Sequence, residues 1–127
     1  QWLFPIPEAG RFNGFAPVLH TSTQACFGKN PKLREQQSLS LNRMLDFFGL
    51  VQNGMVIEPA PNLNSQDHLW LKTGGHNHLR ITRMIRSLHY CHQPKLAEQL
   101  QTAVMTYGPT RGYVGEVSCE YWRKATE

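Results

Sequence analysis

Three cysteines in 127 residues, Cys26, Cys91 and Cys119, are odd in number and widely separated, with no C-x-x-C pair among them. Such spacing builds neither a disulfide framework nor a zinc ribbon, and the expected setting is a reducing intracellular compartment, the cytoplasm, or the nucleus in a eukaryote. Long apolar runs are missing too. No window approaches the roughly 18 to 20 uninterrupted apolar residues of a membrane span, so no membrane partner is expected. The opening QWLFPIPEAG has no basic n-region, no small-residue cleavage pattern and no initiator methionine. It does not read as a signal peptide, and the expectation is that something upstream has been removed. Acids are scarce beside bases, 9 against 13, which gives a net charge of +4. Between Asp67 and Glu98 there is no acidic residue at all, yet that interval holds five Lys or Arg and five of the six histidines. The imbalance favours acidic partners without naming one.

Catalytic and metal constellations are also lacking. The glycine-rich KTGGHN, residues 72–77, fits no P-loop or dinucleotide fingerprint. The carboxylates are scattered, and Asp46 and Glu116 have no visible acid or base partner. Cys91 stands between His89 and His92 as a thiol beside two bases, but it falls on an apolar helical stripe, where cysteine behaves as a small hydrophobe. His78 and His89 are eleven residues apart, about 16 Å along a helix, too far to share an ion. His89 with His92, or His76 with His78, could each meet one, but neither pair completes a zinc ligand set. The expectation is a protein that is not an enzyme, with no cofactor and no metal.

What is present is helical periodicity. A chain of 127 residues with 40% hydrophobic and 10% aromatic content can bury one modest core, which predicts a single domain over 1–127. The first seventeen residues carry three prolines and four large aromatics, the pattern of an extended arm lying on a helical body. Thr21 and Gln24 form a capping-box pattern that predicts a short helix ending near Gly28. Asn30-Pro31 predicts an N-cap and first helical position, opening a helix in which Leu33, Leu41, Met44, Leu45 and Phe48 share a face and Gly49 ends the run. Asn53-Gly54 between short apolar runs predicts a two-residue hairpin turn. Residues 58–75 read as a loop anchored by Leu69, Trp70 and Leu71.

The next segment, HNHLRITRMIRSL, puts Ile81, Met84, Ile85, Leu88 and Cys91 on one stripe and Arg80, Arg83, Arg86 and Tyr90 roughly opposite. Asn77 is placed as its N-cap. A fourth helix carries Leu96, Leu100, Ala103, Val104 and Tyr107 and is expected to stop at Gly108-Pro109. A short last helix carries Val114, Val117, Tyr121 and Trp122. Trp2, Phe4, Trp70 and Trp122 are expected in the core. The fold class predicted is all-α, a compact bundle of about five helices with an extended N-terminal arm and a short β-hairpin-like insertion.

Four separated stretches, QWLFP, RMLDFFGL, HNHLRITRMIRSL and YWRKA, together resemble the conserved region of the opioid growth factor receptor family, in that family's order and across practically the whole chain. The resemblance implies an all-α domain, found in animal receptors for enkephalin-type peptides and in many microbial and fungal proteins, with no known enzyme activity. It also implies family sequence upstream of QWLFP, a His-x-Tyr-Ile type run, so the domain is expected to lack its N-terminal portion. Peptide repeats that follow the domain in animal members do not occur here. The expected function is that of a binding module for a peptide or protein, with His76, Asn77, Arg80, Arg83 and Arg86 as the binding residues. Three other readings stand beside it: anion or nucleic-acid binding through the Arg80, Arg83 and Arg86 face, a structural subunit of a larger assembly, and arginines that only pair with internal acids or solvate the helix.

Overall fold

The computed structural model describes residues 4–8, 18–72 and 77–127. Helix α1, Thr21–Lys29, starts one residue earlier than a capping box on Thr21 would have it. His20 takes the cap position without a side-chain bond, and Gln24 Nε2 instead donates to the Leu19 carbonyl at 3.4 Å. None of the α1 residues is buried, and Arg34 of the following helix tethers it by donating to the carbonyls of Phe27 and Gly28. Helix α2, Pro31–Phe48, begins as the sequence predicts: the Asn30 side chain accepts from the Lys32 amide at 3.0 Å and Pro31 fills the first turn. It ends on Gly49, whose φ of 71° is left-handed and whose amide returns to Asp46 and Leu45.

Strands β1, Leu50–Asn53, and β2, Val56–Pro59, pair antiparallel with Asn53 opposite Val56. The turn residues are therefore Gly54 and Met55, one position later than Asn53-Gly54. Gly54 has φ of 65° and takes the first central position, where a turn of this class wants glycine. In the connection that follows, Asn64 Oδ1 accepts from the amides of Gln66 and Asp67 at 3.0 and 2.8 Å, folding the loop locally. A 3₁₀ turn, Leu69–Leu71, closes it. Trp70 and Leu71 are fully buried, but Leu69 is 51% exposed and anchors nothing.

Helices α3, Asn77–Tyr90, α4, Pro94–Arg111, and α5, Glu116–Lys124, complete the chain. Helix α4 does not stop at Gly108-Pro109. Pro109 falls in the last turn and the helix runs past it to Arg111, while Gly108 is buried against Val114, whose side chain would lie 3.0 Å from an added Cβ. In α5 the expected face is turned outward: Val117 and Tyr121 are 73% and 60% exposed, while Trp122 is buried together with Val114 and Ala125 on either side of the helix.

The core gathers Leu41, Leu45 and Phe48 from α2, Ile81, Ile85 and Leu88 from α3, Leu100 and Val104 from α4, and Trp70 and Trp122. Each such side chain contributes about 1.5–3 kcal/mol by leaving water. Phe4 of the arm joins this cluster, and the Leu19 amide donates to the Ile6 carbonyl at 2.8 Å, so residues 4–8 lie on the helical body. Trp2 and the rest of the aromatic arm fall outside the described residues. One polar seam crosses the core: Ser38 donates to Gln93 Oε1, Gln93 Nε2 to Gln37 Oε1, and Gln37 Nε2 to Ser87 Oγ, at 2.8, 2.8 and 3.1 Å. With partners this regular, buried Gln37 and Ser87 cost the fold little and fix how α2 meets α3.

Candidate functional site

Helix α3 forms because its apolar positions recur at helical pitch, and all of Ile81, Met84, Ile85, Leu88 and Cys91 are buried. That packing fixes the helix rigidly and turns its arginines to the other side. Asn77 is the first helical residue, and its Oδ1 accepts from Arg80 Nη1 at 3.3 Å instead of capping the helix as expected. His76 lies outside the described residues.

The three arginines differ in what holds them. Arg80 is exposed. Arg83 is half-buried; burial pulls its pKa down, and the charge of Glu8 offsets part of that. Arg86 is the most constrained. Its Nη1 donates to the backbone oxygens of Glu127 and Ala125 at 3.1 and 3.4 Å, and its guanidinium carbon lies 4.9 Å from the centre of the Tyr90 ring. The opposite edge meets the arm: Nε donates to Glu8 Oε2 at 3.0 Å and Nη2 donates to Glu8 Oε1. Tyr90 adds a hydroxyl bond to the Glu127 oxygen at 3.1 Å. This side-on bidentate pairing is the geometry in which arginine recognises a carboxylate most specifically.

The Arg86 hydrogen bond holds the Glu8 carboxyl below its ordinary value, and the same bond raises Arg86. A carboxylate whose folded-state pKa is depressed adds stability that is complete above its unfolded value. That stability is lost as pH falls through the lower folded value. With Glu8 half exposed the amount is small, about 0.2–1 kcal/mol. Glu8 carried no site signal in the sequence, because 78 residues separate it from Arg86 and only the fold brings them together.

His78, the third member of the HNH triplet, points inward. Its Nε2–H donates to the Trp70 carbonyl, and its Nδ1 then accepts from the Ser118 hydroxyl at 2.7 Å. The Trp122 indole donates to the His78 carbonyl at 3.1 Å. Thus His78 ties α3 to the 3₁₀ turn and α5, and its role is positional. Burial pushes the Cys91 thiol up, away from the reactive thiolate form. Among the described residues no three His, Cys, Asp or Glu side chains are placed to hold a metal ion, and no helix is long and apolar enough to cross a membrane. A groove of about 430 Å³ runs between β2 and α4, lined by Met55, Val56, Ile57, Thr102, Ala103 and Tyr107 among others.

These features define a small, mostly helical domain with a hairpin insertion, in which the arginines of α3 lie on the face turned away from its buried stripe. The chain belongs to the opioid growth factor receptor family: residues 1–109 match the family described as the opioid growth factor receptor (OGFr) conserved region. The closing YWRKA run lies beyond that match, whereas QWLFP, RMLDFFGL and HNHLRITRMIRSL lie within it. Opioid growth factor receptor-like protein 1 of Xenopus tropicalis is 38% identical over 92 residues, covering 69% of this chain and 17% of that protein. The opioid growth factor receptor of Mus musculus is 34% identical over 91 residues, covering 69% of this chain and 14% of that protein. The chain thus spans less than a fifth of the length of these relatives. No solved structure matches it.

Proposed function

We propose that the domain is a non-enzymatic binding module that recognises a peptide or protein through the outer face of α3, with Arg80, Arg83 and Arg86 as the contacting side chains, joined by Asn77 and by His76, its neighbour in the sequence. The observation that carries this reading is that a segment of the chain's own arm already reaches α3: within residues 4–8, Glu8 engages Arg86 with both carboxylate oxygens. Peptides docked on a rigid helix face lose little by ordering the receptor, since α3 is fixed by its buried side. The name of the Mus musculus relative, opioid growth factor receptor, supports a role in recognition. An intracellular setting is part of the proposal, supported by three cysteines that are all free thiols.

Selection of a random peptide display library on the folded chain tests the proposal. Enriched peptides are expected to lose binding at least about tenfold on a variant carrying Arg80→Ala and Arg83→Ala, each arginine contributing on the scale of a charged hydrogen bond. Equal binding to both proteins would place recognition elsewhere.

A second reading, a subunit of a larger assembly, is favoured by exposed Val117 and Tyr121, one turn apart on α5. An interface there would give a sedimentation mass above that of the monomer, which Val117→Ser with Tyr121→Ser would abolish.

A further inference from the structure

The Arg86 guanidinium is prepared for one kind of ligand. Backbone oxygens of Ala125 and Glu127 take its Nη1 hydrogens, and the Tyr90 ring lies against the cation. The side chain is therefore held in place by groups other than Glu8. Its remaining edge, Nε with Nη2, presents two parallel donors, the arrangement that matches the two oxygens of a carboxylate. Glu8 fills that edge, from an arm position where its carboxylate is half exposed while Arg86 is 22% exposed. Glu8 also feels the charge of Arg83. No acid lies between Asp67 and Glu98 to compete for these cations from within the segment.

We infer that the Nε–Nη2 edge of Arg86 is a carboxylate-recognition site occupied in cis by Glu8, and that an acidic peptide binds by exchanging its own carboxylate for that of Glu8, with Arg83 and Arg80 extending the contact along α3. This rests on the peptide-recognition reading above and names its ligand class. Glu8 acts as an internal competitor: the binding-competent state is the fraction in which its carboxylate has left the edge, and apparent affinity is reduced by that fraction. An exposed pair of this sort holds the site closed by a modest factor. A carboxylate is favoured over a phosphodiester because the resident occupant is a carboxylate in two-point contact.

The test is fluorescence anisotropy with fluorescein-labelled hexaglutamate at low salt, on the wild-type chain, on Glu8→Gln, and on the variant carrying Arg80→Ala and Arg83→Ala. Glu8→Gln is expected to bind about threefold to fivefold more tightly than wild type. Unchanged or weaker binding by Glu8→Gln, with the arginine variant still impaired, overturns the internal competitor and leaves the peptide-recognition reading standing. No hexaglutamate binding by Glu8→Gln overturns the acidic ligand class, and whether the display-selected peptides still depend on Arg80 and Arg83 then decides the broader reading separately. An equal gain for a single-stranded oligothymidylate overturns the carboxylate assignment in favour of general anion binding. A measurement on the unaltered chain needs no variant to fold: the Glu8 carboxyl carbon resonance is expected to move to the value of a solvated glutamate as hexaglutamate saturates. A Glu8 resonance that stays put overturns the exchange.

Discussion

Gly49 and His92 occupy the same left-handed backbone region at the ends of two helices, with φ of 71° and 63°. At Gly49 the residue type suits the geometry, and the His68 ring packs where a side chain would go, 2.7 Å from an added Cβ. Gly49→Ala is expected to destabilise the fold by at least about 1–2 kcal/mol, from the backbone region alone. At His92 a branched ring carries that conformation because the Gln93 amide must reach the Leu88 carbonyl, 2.9 Å away, to finish α3. His92→Gly should relieve about 1 kcal/mol of this and raise the urea midpoint. The opposite signs, read from urea denaturation of both variants, check the geometry together. Gly49 was legible in the sequence, since glycine after an apolar helical run is a local stop signal. His92 was not, because its φ is imposed by where α3 and α4 must meet.

Among the elements, α2 shows most clearly how local chemistry sets a boundary. Asn30 supplies the cap and Pro31 the first turn, so Asn30→Ala is expected to cost about 1 kcal/mol, measured by the same denaturation, with no change in the hairpin. The hairpin was legible for the same reason, with its turn displaced by one residue to let Gly54 take the position that needs positive φ. Helices α4 and α5 were read less well. Gly108-Pro109 signals a stop locally, but burial of Gly108 against Val114 holds the backbone helical to Arg111. In α5, Val117, Tyr121 and Trp122 compete for one buried face of a short helix; Trp122 wins because its indole donates to His78 and its ring meets Trp70 edge-on, leaving Val117 and Tyr121 outside.

For the molecule as a whole, α3 divides inside from outside. Its apolar stripe was fully legible, and so was the gathering of Arg80, Arg83 and Arg86 on the other side. The distinction among those arginines was not. It depends on Glu8 from one end of the chain and on backbone oxygens near the other, partners that no local pattern announces. His78, weighed in the sequence only as a metal ligand, shows the converse: it is a core tie through Trp70 and Ser118. The outer face of α3, with residues 4–8 beside it, is the surface we propose for recognition. A backbone amide chemical-shift map recorded during titration with hexaglutamate tests this most directly. The account predicts that the largest changes fall on residues 77–90 and on 4–8; changes concentrated on Val117 and Tyr121, or on the groove between Val56 and Thr102, would contradict it.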